Sequence, residues 1–189
     1  LTYNGKEYPP KPFITSTLQR TAQKSLGFSI RKTMDIAQKL FENGKITYMR
    51  TDSTCVSKIF QKKLSYYISE NYTREVYQPS LTKKVKGAQD AHECIRITQL
   101  DHTLNDKYTK DDHKLYNLIK ENTICSHMKP AEINTLHIQL DTTIIQPNYF
   151  LGKHKVYTYL GYLIYYKDKY KIESQLSIPK DTIFELQKA

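Results

Sequence analysis

Tyr48 and Arg50 lie two residues apart in the run Ile46-Thr47-Tyr48-Met49-Arg50-Thr51-Asp52-Ser53, which puts a phenol, a fixed cation, a carboxylate and hydroxyls in one short stretch. That set of groups suits attack on phosphate. A phenol is ordinarily neutral near pH 7, and a neighbouring guanidinium favours both the phenolate and the crowded negative charge of a phosphoryl transition state. In an extended segment residues two apart share a face, so Tyr48 and Arg50 are expected side by side. The spacing alone fits equally a strand tyrosine buried beside a surface arginine. Asp52 is read as orienting Arg50 or capping local backbone rather than as a base. Thr51 and Ser53 either contact phosphate or close the turn. No base is evident beside Tyr48, so its proton acceptor is left unassigned.

A second set of candidates lies in Gln89-Asp90-Ala91-His92-Glu93-Cys94-Ile95-Arg96-Ile97-Thr98. His92 and Arg96 carry groups that hold phosphate oxygens, and histidine titrates close enough to neutrality to make such binding depend on pH. The pair Asp111-Asp112 is read as charge favoured by the dipole at a helix start.

The elements around these residues follow from pattern. Pro9-Pro10-Lys11-Pro12 is a stiff extended lead-in. Ser16 with Gln19 predicts a capping box for a first helix that stops at Gly27. Ser29 opens a second, with Ile30, Met34, Ala37 and Phe41 on one face and Gly44 as its stop. Tyr48 follows this stop directly. A third helix near Ser57 is expected to bury Phe60, Leu64, Tyr67 and Ile68, and a fourth near Thr109 to bury Leu115, Leu118, Ile119 and Cys125. Residues 72–98 lack periodicity and read as loop and short strands. Past Pro130 the pattern alternates, predicting strands over 135–141, 156–160, 162–166 and 182–186, with a bend at Gly161. Helices first and strands later give an α+β chain.

The formal charge is +10, from 29 lysines and arginines against 19 acids, which is the footprint of a polyanion binder. Arg31, Lys32, Lys62, Lys63, Lys83, Lys84 and Lys86 are candidates for a basic track along single-stranded DNA, with tyrosines as stacking faces, although charge runs are mostly solvated surface. Cys55, Cys94 and Cys125 are odd in number and widely spaced, which indicates neither a disulfide framework nor a local zinc site. No apolar run reaches the ~20 residues of a membrane span. The chain starts at Leu1 rather than methionine, and a piece of a longer polypeptide is expected.

The tyrosine octapeptide resembles the active-site segment of type IA DNA topoisomerases, whose bacterial topoisomerase I branch reads Ile-Thr-Tyr-Met-Arg-Thr-Asp-Ser. Residues 91–98 resemble that branch's Ala-His-Glu-Ala-Ile-Arg-Pro-Thr, departing at Cys94 and Ile97. The resemblance also covers Pro12-Phe13-Ile14-Thr15-Ser16-Thr17-Leu18-Gln19 and Leu26-Gly27-Phe28-Ser29. It is dense over 12–60, returns at 89–98, and is only architectural past about residue 133. It implies an extended strand or linker from an arch domain over 1–11, a helical, winged-helix-like catalytic-tyrosine domain over 12–132, and a β-rich part of the toroid arch over 133–189.

The activity implied is ATP-independent relaxation of negatively supercoiled DNA through a 5′-phosphotyrosine intermediate, strand passage and religation. Tyr48 would be the nucleophile, Arg50 would stabilise the transition state, and His92, Arg96, Asp52, Thr51 and Ser53 would contact DNA. The family binds Mg²⁺ through an Asp-x-Asp-x-Glu cluster on a separate Toprim domain. No such triplet occurs here, so this chain is expected to bind no metal and to be inactive without its Toprim and flanking domains. The implied partner is single-stranded DNA, with no membrane, in an intracellular setting, cytoplasm or nucleoid if bacterial. Met49 and Thr51 stand where the type III branch usually has proline and serine. Alternatives are a type III-like decatenating enzyme and a non-catalytic winged-helix DNA-binding module.

Overall fold

The computed structural model describes residues 2–79, 92–141, 149–166, 169–173 and 182. Gln89, Asp90, Ala91, Lys83, Lys84, Lys86 and all but the first residue of the strand expected over 182–186 lie outside these residues.

Among the described residues there are four α-helices, and their ends are set by local chemistry. Helix α1 (Thr15–Leu26) is capped at Ile14 rather than Ser16. Thr17 does the work: its Oγ1 accepts the Ile14 amide at 3.0 Å and donates back to the Ile14 carbonyl at 3.1 Å. Gly27, at φ 68°, ends α1 in the left-handed region that side chains avoid. Helix α2 (Ile30–Glu42) starts as expected at Ser29, whose hydroxyl accepts the Lys32 amide at 3.2 Å.

The inner face of α2 is rotated from the predicted one. Thr33, Ala37 and Leu40 are buried, Met34 and Phe41 are partly covered, and Ile30 is 57% exposed. Thr33 tolerates complete burial because its hydroxyl donates to the Ser29 carbonyl at 2.9 Å. Gly44, at φ 65°, then turns the chain so that Ile46 enters the core.

Helix α3 (Lys58–Asn71) starts at the Ser57 cap and buries Phe60, Leu64 and Ile68, with Tyr67 partly covered. Helix α4 (Lys110–Cys125) carries a reciprocal cap between Thr109 and Asp112, and buries Leu115, Ile119 and Cys125 together with the polar Asn122 and Thr123. Leu118 is only partly covered. Asp111 and Asp112 do more than complement the helix dipole. Lys32 pairs with Asp111 at 2.6 Å and Lys39 with Asp112 at 2.5 Å, fastening α2 to α4. Burial pushes the Asp112 carboxyl up, but hydrogen bonds from Lys39 and Thr109 outweigh it and hold the group below its usual range.

Strand β1 (Thr2–Glu7) pairs antiparallel with β2 (Ala131–Asp141), which pairs antiparallel with β3 (Tyr149–Tyr159), in the order β1-β2-β3. Glu7 lies opposite Ala131, so the chain leaves the sheet for the helices and comes back to it at one corner. The strand predicted over 162–166 is a 3₁₀ turn, Gly161–Tyr166. Gly161 has φ 51°, and a Cβ there would lie 2.4 Å from both the Lys129 and Pro130 carbonyl oxygens, so the chain bends tightly against its own backbone instead of continuing β3. Tyrosines in this turn pack on one another and on the helical unit, Tyr165 against Tyr166 and Tyr72, and so are not free stacking faces.

The α+β class is as expected. Among the described residues between 12 and 130, β pairing is limited to single bridges, Phe13 with Ile95, Ile46 with Ile97 and Tyr77 with Met128, so no winged-helix hairpin is defined. None of the helices described is long and apolar enough to cross a membrane.

Candidate active site

The tyrosine segment is held between two others. Ile46 bridges Ile97, and Phe13, just ahead of α1, bridges Ile95. Phe13, Ile46, Met49, Ile95 and Ile97 are all buried, each burial contributing ~1.5–3 kcal/mol, and they root the three segments in the core of the helical unit. Along the run burial alternates: Met49 and Thr51 point in, while Tyr48, Arg50 and Asp52 are exposed. The phenol and the guanidinium therefore share the outer face, as their spacing suggested.

Tyr48 is 36% exposed. Its ring sits edge-on to Phe41 of α2 at 5.3 Å and tilted against His92 at 5.4 Å, measured between centroids. Phe41 and His92 thus fix the ring and leave its rim open. Among the described residues no hydrogen bond engages the Tyr48 hydroxyl, and no ion pair engages Arg50 or Asp52. His92 also lines a hollow of about 390 Å³ with Arg50, Thr51, Asp52, Thr15 and Ser16. Tyr48 does not line that hollow; His92, which touches the Tyr48 ring, joins the phenol to it, and Arg50 is its one fixed cation. A larger hollow of about 890 Å³, between α3 and residues 98–102, contains neither Tyr48, Arg50 nor His92, and chemistry rather than size singles out the smaller one.

Thr51 and Ser53 both close turns: the Ser53 amide donates to Thr51 Oγ1 at 3.0 Å and the Cys55 amide to Ser53 Oγ at 3.1 Å. Only Thr51 of the two reaches the hollow. Arg96 is not brought into it. Its side chain is 11% exposed, its Nε donates to Glu93 at 2.6 Å, an Nη donates to the Ile97 carbonyl at 3.0 Å, and its guanidinium lies 3.8 Å from the Phe60 ring centroid. Burial pushes the Glu93 carboxyl up, but hydrogen bonds from Arg96 and Ser57 and the Arg96 charge pull it below its usual range. This pair anchors the segment next to His92 from behind.

Three residues that position the site had no role in the sequence reading. Thr47 donates to the Cys94 carbonyl at 2.6 Å and accepts the Arg96 amide at 2.9 Å. Thr15 bonds to residues 49 and 51. Asn122 of α4 accepts the Phe13 amide at 3.1 Å and donates to the Lys11 carbonyl at 3.0 Å. Only Asn122 left a sign in the sequence, since a polar residue at a core position of an apolar helix stripe must find partners. Among the described residues no group of three or more His, Cys, Asp or Glu lies placed to hold a metal ion.

A family model described as DNA topoisomerase matches residues 2–189. A prokaryotic-type DNA topoisomerase 1 of Acanthamoeba polyphaga mimivirus is 44% identical over 138 residues, 70% of this chain and 16% of the relative. DNA topoisomerase 1 of Mycolicibacterium smegmatis is 42% identical over 139 residues, 70% of this chain and 15% of the relative. Full-length topoisomerase I from Thermotoga maritima superposes with a TM-score of 0.75 at 34% identity, covering 95% of this chain and 30% of that one. With its tyrosine segment, its α+β fold and matches along most of its length, the chain belongs to the DNA topoisomerase family, as a type IA member of the bacterial topoisomerase I kind that spans a fraction of its relatives' length.

Proposed function

We propose that the chain is the tyrosine-bearing part of an enzyme that relaxes negatively supercoiled DNA by breaking and rejoining one strand. The observation that carries this reading is the convergence of the exposed Tyr48 ring with His92, which also lines the hollow that holds Arg50. The Tyr48 oxygen attacks a backbone phosphorus, the P–O bond to the 3′ oxygen breaks, and a 5′-phosphotyrosine and a free 3′-hydroxyl result. One phosphodiester replaces another, so religation by the 3′-hydroxyl needs no ATP. Arg50 meets the charge of the pentacoordinate state, and His92 holds the cleaved strand. Asp52 lines the same hollow as Arg50, Thr51 and Ser53 shape the turn, and Arg96 supports His92 through Glu93.

Single-stranded DNA is the substrate, inside the cell. Mg²⁺ belongs to the whole enzyme, on residues outside those described, and no step above passes through it. The division into a lead-in strand (1–11), a tyrosine unit (12–132) and a β-rich return (133–189) is part of this reading, supported by the pairing of β1 with β2. The chain alone is expected to bind single strands weakly and to relax nothing.

The test uses the whole protein and a single-stranded oligonucleotide labelled at either end. After denaturing quench, the 3′-end label should stay on the protein, in a Tyr48 peptide, and the 5′-end label should run free. Label retained from the 5′ end, or adduct formed by Tyr48→Phe, would overturn the assignment.

A further inference from the structure

Thr15 is the first residue of α1 and lies 36 positions from the segment it holds. Its Oγ1 donates to two carbonyls, Met49 at 2.8 Å and Thr51 at 3.0 Å, and accepts the Thr51 amide at 2.9 Å. Its own amide donates to the Thr51 carbonyl at 2.9 Å. The backbone on both sides of Arg50 is thus caught by one side chain. The other end of the run is caught by Thr47, which bonds to residues 94 and 96. Tyr48, Met49 and Arg50 are the stretch between these clamps. Met49 is fixed by burial, but the Arg50 side chain has no partner among the described residues, so its direction is inherited from its backbone. Thr15 also lines the hollow that Arg50 faces.

We propose that the Thr15 hydroxyl is a positioning residue that aligns Arg50 with Tyr48 for phosphoryl transfer, acting through the backbone of residues 49–51 rather than by touching DNA. The proposal rests on Tyr48 being the nucleophile and Arg50 the transition-state cation. A displacement of an ångström between such groups is enough to slow a reaction by orders of magnitude while leaving ground-state binding nearly unchanged.

The experiment is single-turnover cleavage of a single-stranded oligonucleotide by the whole enzyme, with binding measured separately. Thr15→Val keeps the shape and removes the hydroxyl, and cleavage should slow by about 10-fold or more with affinity within about threefold. Thr15→Ser keeps the hydroxyl and should stay within about threefold in both. Thr17→Val is the control, since Thr17 caps the same helix without touching residues 49–51. In an Arg50→Ala background Thr15→Val should add little, because its effect passes through Arg50.

Wild-type cleavage by Thr15→Val overturns the proposal. So do an equal loss in Thr17→Val or full additivity with Arg50→Ala. If Thr15→Val does not fold, Thr15→Ser still decides, and slowing by about 10-fold there refutes the hydrogen-bond argument. Adduct formation by Tyr48→Phe would instead remove the reading beneath it.

Discussion

Asn122→Leu removes the buried tie between α4 and the segment that leads into α1, at nearly constant volume. Asn122 is 4% exposed and Phe13 is 4% exposed, so the Phe13 amide, which donates to Asn122 Oδ1 at 3.1 Å, has no water to turn to. Leaving one such donor unsatisfied costs ~1–3 kcal/mol. The Lys11 carbonyl, which accepts from Asn122 Nδ2 at 3.0 Å, belongs to an exposed residue and recovers solvent, so its loss adds ~1 kcal/mol or less. The sum is ~1–4 kcal/mol, or roughly 5- to 1,000-fold in a local opening equilibrium.

Hydrogen exchange on the whole protein reads this directly, as faster exchange in peptides spanning 12–20 and 118–126. Ser29→Ala gives the scale, because its exposed cap bond to Lys32 is worth only ~0.5–1 kcal/mol. Exchange in residues 12–20 that rises less than about threefold in Asn122→Leu would refute the claim that this amide depends on Asn122.

Three further outcomes are expected. Arg50→Ala should slow cleavage by roughly 10²-fold with a far smaller loss of binding, and Arg50→Lys should also be impaired because a point charge replaces a planar fork; equal losses in rate and affinity would make Arg50 a simple anchor. Burial pushes the His127 imidazole below its usual pKa, so the unfolded state takes up a proton first, and stability that is full above pH ~6.5 is lost as pH falls toward the lower folded-state value. Exchange in residues 120–128, corrected for intrinsic rate, should therefore rise between pH ~7.5 and ~5.5, and His127→Leu should flatten that rise. Gly161→Ala should destabilise the protein well beyond the ~1–2 kcal/mol expected for left-handed strain alone, whereas Gly27→Ala and Gly44→Ala, where an added Cβ meets nothing within 4 Å, should stay near that figure; similar thermal shifts for all three would refute the close approach at residue 161.

The signals legible in the sequence were those that act over one turn of chain. Ser29, Ser57 and Thr109 cap helices through amides three residues on, and Gly27 and Gly44 end helices by their own backbone freedom. The outward pairing of Tyr48 with Arg50 was legible for the same reason, since it depends on a two-residue repeat.

The long ties were not legible. Thr15 reaches residues 49 and 51, Thr47 reaches residue 94, and Asn122 reaches residue 13, and nothing in a side chain's own neighbourhood says which distant residue it will meet. Arg96 is instructive in the opposite sense. Its partner Glu93 lies only three residues before it, yet neither that pair nor the Phe60 ring that covers the guanidinium was read from the sequence. Residues 162–166 failed as a strand because apolar and aromatic content says nothing of the two carbonyls packed behind Gly161.

The shared corner where Glu7 faces Ala131 makes the helical unit a loop closed at its neck. A load that draws this unit off the sheet pulls β1 and β2 in the same direction, so the two strands keep their register and neither is peeled from the other. The load passes instead as sliding force into the ladder between β2 and β3, which joins ten residue pairs against six between β1 and β2. A ladder loaded this way resists with many bonds at once. Glu7 adds a cross-tie at the neck itself, its carboxylate accepting from Tyr162 at 2.9 Å, Tyr157 at 3.2 Å and Lys155 at 3.3 Å. The corner is thus a mechanical anchor, the point at which a load on the helical unit enters the sheet.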